Sequence, residues 1–252
     1  MKFPRFGFIS YSASKFSSHL KTLRTSSRQE LAPSLTATFE NQFANEIGSG
    51  KCIAFASARM GFYAILASLK LSGKDEVLLT GFTCSVMVNA VIKAGGNPVF
   101  VDVSARTYGM CPLNLQTKIS AYTRVIVAQH TFGIPCEIDQ IAEIAKKNNL
   151  FLVEDCALSL GSQYKQTTLG NYGDCAIFSF DHSKPINTFS GGMIYTNDNK
   201  IAYKIRCIQK SSPELPRRYV RTLKFMYLLE QALLTLNNYT IYNLIWRFVL
   251  LL

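Results

Sequence analysis

The sequence predicts an α/β fold, a three-layer αβα sandwich built around a mostly parallel β-sheet. Between about residues 36 and 200, short apolar runs bounded by turn residues alternate with segments of helical periodicity. Strands that alternate with helices pair in parallel through right-handed crossovers, so the helices cover both faces of the sheet. At 252 residues, 48% of them hydrophobic, the chain is long enough for one large domain with a substantial core.

The elements follow one another in a regular order from residue 35. Helical periodicity, with Phe39 and Phe43 on one face of the first segment, predicts helices over residues 35–47, 57–71, 85–94, 113–120 and 138–148. Apolar runs predict strands over residues 52–56, 76–80, 98–103, 124–130, 151–153 and 175–180. Gly95-Gly96 ends the third helix.

Two segments flank this region. Residues 1–35 are polar, basic and rich in Ser and Thr, which predicts an N-terminal arm. An early positive charge without a sustained apolar core disfavours a secretory signal there. Residues 201–252 are basic, apolar and helical in period and finish on an apolar run, so we expect a truncated C-terminal segment. Docking of this segment on a partner or a membrane surface is the less favoured alternative.

The net charge of +11 is concentrated before Glu30 and between residues 200 and 224. Basic ends can attract anionic partners, but no nucleic-acid-binding motif accompanies them, so we expect a solvated basic face and no nucleic acid. The sequence contains no stretch of about 18 uncharged apolar residues, so it predicts no transmembrane helix.

Cysteine and histidine usage argues against a disulfide framework and against a metal site. The seven cysteines contain no C-x-x-C pair and lie mostly inside apolar runs, which predicts buried, reduced thiols in a cytosolic protein. The three histidines lack metal-ligand spacing, so no metal is assigned.

The chemistry concentrates between residues 151 and 196. One apolar run ends in Glu154 and Asp155, and Lys184 follows the next run, ahead of Gly191-Gly192. Charged groups at strand ends lie where open α/β sheets bind ligands. An acid and a lysine at one sheet edge suit pyridoxal 5'-phosphate, since Lys184 can hold the aldehyde as a Schiff base and the acid can keep the pyridine nitrogen protonated. Strand alternation sends Glu154 to the other side, which favours Asp155 as that acid.

Three motifs in this order carry a family resemblance: EDCALSLG, FSFDHSKPI and GGMIYTND. Together they resemble the DegT-type aminotransferases, fold-type-I pyridoxal-phosphate enzymes that usually aminate nucleotide-linked keto sugars. The resemblance extends from about residue 39 to 198. It implies a cofactor-binding large domain over residues 36–200, a cytoplasmic homodimer, and transfer of an amino group from an amino acid, with glutamate favoured, to the keto sugar.

The resemblance also implies site residues beyond Asp155 and Lys184. Ala58 and Arg59 fall on the turn that grips the cofactor phosphate, where a strand runs into a helix N-terminus. Cys84 falls where relatives often place an aromatic residue against the coenzyme ring, and Ser179 where a hydroxyl reaches the phosphate. These residues also have purely structural alternatives. Ala58 and Arg59 can simply begin a capped helix, Asp155 can cap the end of a strand, and Ser179 can be an ordinary strand residue.

Other residues leave questions open. Phe82 either flanks the coenzyme ring or belongs to the core, and His130 and His182 either line the substrate pocket or pack. The resemblance also implies polar residues where this chain has Leu158 and Leu160, and an Asn where it has Pro185. Two rival functions therefore remain: a pyridoxal-phosphate-dependent sugar dehydratase, which a site without lysine would favour, and a truncated, non-catalytic cofactor-binding protein.

Overall fold

A computed structural model of the chain describes residues 32–181, 183–184, 186 and 188–235. The helices are α1 (Ala32–Ile47), α2 (Ala58–Ser68), α3 (Ser85–Lys93), α4 (Pro112–Lys118), α5 (Ile138–Lys147), α6 (Asn199–Ser211) and α7 (Arg217–Thr235), with a short 3-10 turn at Thr131–Gly133. The strands are β1 (Lys51–Phe55), β2 (Glu76–Thr80), β3 (Asn97–Val101), β4 (Thr123–Gln129), β5 (Phe151–Asp155), β6 (Gln163–Tyr164), β7 (Thr167–Thr168), β8 (Cys175–Ser179) and β9 (Gly192–Thr196).

Seven strands form one sheet in the order β1-β9-β8-β5-β4-β2-β3. The pairs β2–β3, β2–β4, β4–β5 and β5–β8 are parallel, and β9 runs antiparallel to both of its neighbours. The carboxyl ends of β2, β4, β5 and β8 therefore lie at one edge of the sheet.

Helices cover the two faces of this sheet, which confirms the predicted three-layer α/β fold. The first core joins the sheet to α1, α4 and α5, and the second joins it to α2, α3 and α6. The alternation along β4 shows how one strand serves both cores: Ile126 and Ala128 belong to the first core, whereas Val125 and Val127 belong to the second.

The predicted helices and strands are present, with ends displaced by one to three residues in most of them. The β6–β7 hairpin was not predicted, because strands of two residues carry no readable period. Its turn is formed by Lys165 and Gln166, which adopt positive φ angles of 44° and 65°.

The described residues fall into two compact units. The first comprises residues 36–212 and contains the sheet, and the second includes residues 32–35 and 213–235. Helix α6 starts at the predicted boundary near residue 200 and places Ala202 and Ile205 in the second core. Most of the N-terminal arm, the end of the C-terminal segment, His182 and Pro185 lie outside the described residues.

In the part of the chain that the structure covers, no helix combines the length and the apolar character needed to cross a membrane. All seven cysteines are free thiols. Four of them are buried: Cys52, Cys136, Cys156 and Cys175.

Candidate active site

A cavity of about 270 Å³ opens at the carboxyl ends of β2, β4 and β5. Loops beyond the carboxyl ends of parallel strands are the usual ligand sites of α/β sheets. The lining comprises Phe82, Thr83, Cys84, Gln129, His130, Thr131, Phe132, Asp155, Ala157, Leu158 and Lys184. Three of the predicted site residues, Asp155, Lys184 and Cys84, thus share one cavity.

Asp155 is the last residue of β5 and is only 7% exposed. Its Oδ1 accepts a hydrogen bond from the Ala157 backbone N–H at 3.0 Å, and none of the described residues donates to Oδ2. Burial raises the pKa of the Asp155 carboxyl, and the Ala157 N–H, Lys184 and His130 offset part of that rise. A buried carboxylate with one unused oxygen is suited to a ligand that brings a proton or a positive charge.

Lys184 lies in the loop that connects β8 to β9. The base of this loop is closed by the Phe180 N–H, which donates to the Gly191 carbonyl at 3.0 Å, and by the Thr188 N–H, which donates to the Phe180 carbonyl at 3.0 Å. The Lys184 backbone N–H donates to the Asp181 carbonyl at 2.9 Å, and the half-buried residue lines the cavity. The loop therefore brings an amine to the cavity that holds Asp155.

Glu154 has a different role from its neighbour. Its fully buried carboxylate accepts hydrogen bonds from the backbone N–H groups of Gly170, Tyr172 and Gly173 at 2.9, 2.7 and 2.8 Å. His130 Nε2 lies 3.2 Å from Glu154 Oε2. Glu154 thus fixes the loop before β8, and it does not line the cavity.

His130 connects this buried carboxylate to the cavity wall. Its Nδ1 accepts a hydrogen bond from the Cys136 backbone N–H at 3.3 Å, so the proton lies on Nε2 and is donated to Glu154. His130, Glu154 and Cys156 place metal-ligand atoms within 4.8 Å of one another. N–H donors already engage both Glu154 oxygens, and burial raises the pKa of the Cys156 thiol, so hydrogen bonding accounts for this cluster. The assignment of no metal stays a prediction.

The predicted phosphate turn begins α2. The Ser57 Oγ accepts a hydrogen bond from the Met60 N–H at 3.4 Å, which caps the helix, and Ala58 and Arg59 are its first two residues. Arg59 is exposed, and Ala58 is half-buried. A helix N-terminus presents free N–H groups to an anion.

Gly192 brings this turn next to Ser179. It pairs with Ser179 across β8 and β9, and a Cβ atom added to it would lie only 2.2 Å from the Ala58 backbone nitrogen. Only glycine permits so close an approach of two backbones. Ala58 and half-buried Ser179 therefore flank one glycine, although neither of them lines the cavity.

The turn after β2 places Phe82 and Cys84 at the cavity. Phe82 is 55% exposed and lines the cavity, so the suggestion that it belongs to the core is wrong. Cys84 is exposed at the N-terminus of α3 and offers a thiol, with less contact area than an aromatic ring. Leu158, 38% exposed, adds an apolar surface to the cavity, whereas Leu160 packs against the first core.

Sequence reasoning missed the polar residues that hold this wall. Gln129 Nε2 donates to the Phe82 carbonyl at 3.1 Å and to Thr131 Oγ1 at 2.9 Å, and Gln129 Oε1 accepts from Thr83 Oγ1 at 2.7 Å. The signal was present, because Gln129 ends β4 at the same sheet edge as Asp155.

The sequence of this chain is similar to those of known proteins. Residues 15–227 match the model of the DegT/DnrJ/EryC1/StrS aminotransferase family. GDP-perosamine synthase of Escherichia coli O157:H7 is 37% identical over 163 residues, which are 65% of this chain and 45% of that protein. The dTDP-3-amino-3,6-dideoxy-alpha-D-galactopyranose transaminase of Aneurinibacillus thermoaerophilus is 33% identical over 172 residues, 68% of this chain and 47% of that protein.

A solved aminotransferase structure from Psychrobacter cryohalolentis superposes with a TM-score of 0.76 at 26% sequence identity. The match covers 84% of this chain and 56% of the other. The chain thus spans about half the length of the curated relatives it matches.

Proposed function

The chain belongs to the DegT/DnrJ/EryC1/StrS aminotransferase family, and on this premise we propose that it binds pyridoxal 5'-phosphate and transfers an amino group to a nucleotide-linked keto sugar. The observation that carries the proposal is the meeting of Lys184 and buried Asp155 in one cavity. Residues 36–200 act as the cofactor-binding large domain.

The residues present fit the cofactor. Asp155 Oδ2 is free of hydrogen bonds from the described residues and can accept the proton of a pyridine nitrogen. The raised pKa of Asp155 shows that an isolated negative charge is unfavourable here, so a cationic ring would relieve the cost. The start of α2 and Ser179 supply N–H and hydroxyl donors on either side of Gly192 that suit a phosphate.

Each residue has a defined task. Pyridoxal phosphate supplies an aldehyde and a ring that stabilises a carbanion. Lys184 offers the amine for covalent attachment and, when displaced by the amino donor, can take and return the proton at the substrate Cα. Asp155 would hold the proton on the ring nitrogen, and Cys84, which lines the same cavity, would contact the ring.

The substrates are proposed from the family. The two relatives named above carry GDP and dTDP in their names, which supports a nucleotide-linked sugar as the amino acceptor. Glutamate as amino donor, a homodimer and a cytoplasmic location complete the proposal.

Covalent labelling tests this function. The 252-residue chain is mixed with pyridoxal phosphate, reduced with borohydride and mapped by mass spectrometry, and we expect a pyridoxyl group on Lys184. Lys184→Ala should abolish the label. Lys165→Ala is the matched control, because exposed Lys165 pairs with Asp139 away from the cavity. A label on Lys165, or no label, contradicts the proposal.

One observation favours a second candidate. Leu158 gives the cavity an apolar surface where the family resemblance implies a polar group. A labelled Lys184 with no amino-group exchange from any amino acid would support a non-catalytic cofactor-binding protein. The sugar dehydratase is disfavoured by the lysine at the cavity.

A further inference from the structure

Three aromatic rings form a row at the rim of the cavity. Phe82, Phe132 and Tyr108 are 55%, 64% and 49% exposed. The Phe132 ring centroid lies 5.9 Å from that of Phe82 and 6.1 Å from that of Tyr108. Phe82 and Phe132 also line the cavity, so the row continues the candidate active site outward.

The row is held by the backbone beneath it. Phe132 and Tyr108 both adopt a φ of 56°, a left-handed conformation that is uncommon for bulky residues. Thr131 Oγ1 donates to the Tyr108 carbonyl at 2.9 Å, and Gln129 Nε2 donates to Thr131 Oγ1 and to the Phe82 carbonyl. One chain of hydrogen bonds thus ties the backbone carbonyls of Phe82 and Tyr108 to the side chain of Thr131, the residue that precedes Phe132.

Residues held in sparsely populated backbone regions, as Phe132 and Tyr108 are, cluster at ligand sites, and contiguous exposed apolar surface marks binding sites. The Phe132 ring meets the rings of Phe82 and Tyr108 at 53° and 73°, so the row forms two open corners. A flat ring that stacks on one member would meet the next edge-on, which is a favourable aromatic geometry.

The three side chains carry no charge, so they are not suited to a phosphate or a carboxylate. A nucleobase has the required flat face, and its stacking on aromatic side chains tolerates different bases. We propose that Phe82, Phe132 and Tyr108, the aromatic row, bind the nucleobase of the nucleotide-linked substrate. This inference rests on the proposed function, since it places the sugar of that substrate toward Lys184.

Calorimetric titration tests the aromatic row. UDP, GDP and dTDP are titrated into the full 252-residue chain, with and without pyridoxal phosphate, and inorganic pyrophosphate is titrated as a ligand without a base. We expect Phe132→Ala and Tyr108→Ala each to weaken nucleoside diphosphate binding about tenfold, as expected for the loss of one stacking ring. Pyrophosphate binding should be unchanged, and Tyr108→Phe should retain nucleotide affinity.

Phe100→Ala is the matched control, because Phe100 is 47% exposed on the edge strand β3 and does not line the cavity. It should leave nucleotide binding unchanged. The proposal is overturned if the unmodified chain binds no nucleoside diphosphate, or if the two alanine variants bind as tightly as the unmodified chain.

Sedimentation of the same variants tests a second explanation, that the aromatic row is an interface between copies of the chain. If they dissociate a dimer without changing nucleotide affinity, the row is an interface between copies, and the proposal is wrong. Failure of the proposed function has a different signature. An unlabelled Lys184 with base-dependent nucleotide binding would remove the aminotransferase and keep the aromatic row.

Discussion

Glu154 and Asp155 are consecutive residues of β5, yet their carboxylates serve opposite sides of the sheet. Glu154 is bound by three backbone N–H groups and His130, whereas Asp155 faces the cavity with one oxygen unused by the described residues. The alternation of side chains along a strand produces this division. One carboxylate stabilises the fold, and the other is available to a ligand.

Glu154 should therefore be a stability residue. Glu154→Ala would leave three backbone N–H groups and His130 without their acceptor, and we expect a loss of about 3–5 kcal/mol in the free energy of unfolding. Urea denaturation measures it. Exposed Glu143 is the matched control, and Glu143→Ala should change stability by less than about 0.5 kcal/mol. A loss at Glu154 no larger than at Glu143 would contradict this role.

Asp155 should instead destabilise the cofactor-free fold at neutral pH. Its pKa is raised above the ordinary value of 3.8, so the folded state binds more protons than the unfolded state above that pH. Stability is therefore lost as pH rises from about 3.8 through the raised folded pKa. We expect Asp155→Asn to raise the melting temperature of the cofactor-free chain at pH 7 and to flatten its pH dependence.

Asp75 provides the control of opposite sign. Hydrogen bonds from the Ser72 backbone N–H and hydroxyl lower the pKa of its carboxyl, so Asp75 contributes stability above the unfolded pKa that is lost as pH falls through the folded pKa. Asp75→Asn should lower the melting temperature at pH 7. Thermal denaturation between pH 3 and pH 8 measures both variants. Melting temperatures that shift in the same direction in both of them would refute the assignment.

The site residues that could be predicted from the sequence are those that follow apolar runs. Asp155 and Lys184 each follow an apolar run, and the ends of parallel strands meet at one sheet edge. The aromatic row depends on a hydrogen-bond chain from Gln129 to Tyr108, residues on separate segments that no local pattern connects.

The direction of β9 likewise could not be predicted from the sequence. The apolar run of β9 has the composition of a buried strand in either orientation, and the length of the loop over residues 180–191 does not decide between parallel and antiparallel pairing with β8. The closeness of Ser179 to Ala58 follows from that pairing, since both flank Gly192. The register of β8 and β9 was needed before these two residues could be placed together.

Gly192 offers the sharpest test of this arrangement. A methyl group there would lie 2.2 Å from the Ala58 nitrogen and 2.5 Å from its Cα, so Gly192→Ala must push the start of α2 away from β9. We expect a loss of stability of about 1–3 kcal/mol from overpacking. Because the displaced turn carries the N–H groups proposed for the phosphate, pyridoxal phosphate should also bind at least about tenfold more weakly, whereas pyridoxal, which lacks the phosphate, should bind nearly as before. Gly73→Ala is the control, since a Cβ atom there meets nothing within 4 Å. Absorbance titration with both compounds measures the two affinities, and equal weakening of both would show that the turn does not bind the phosphate.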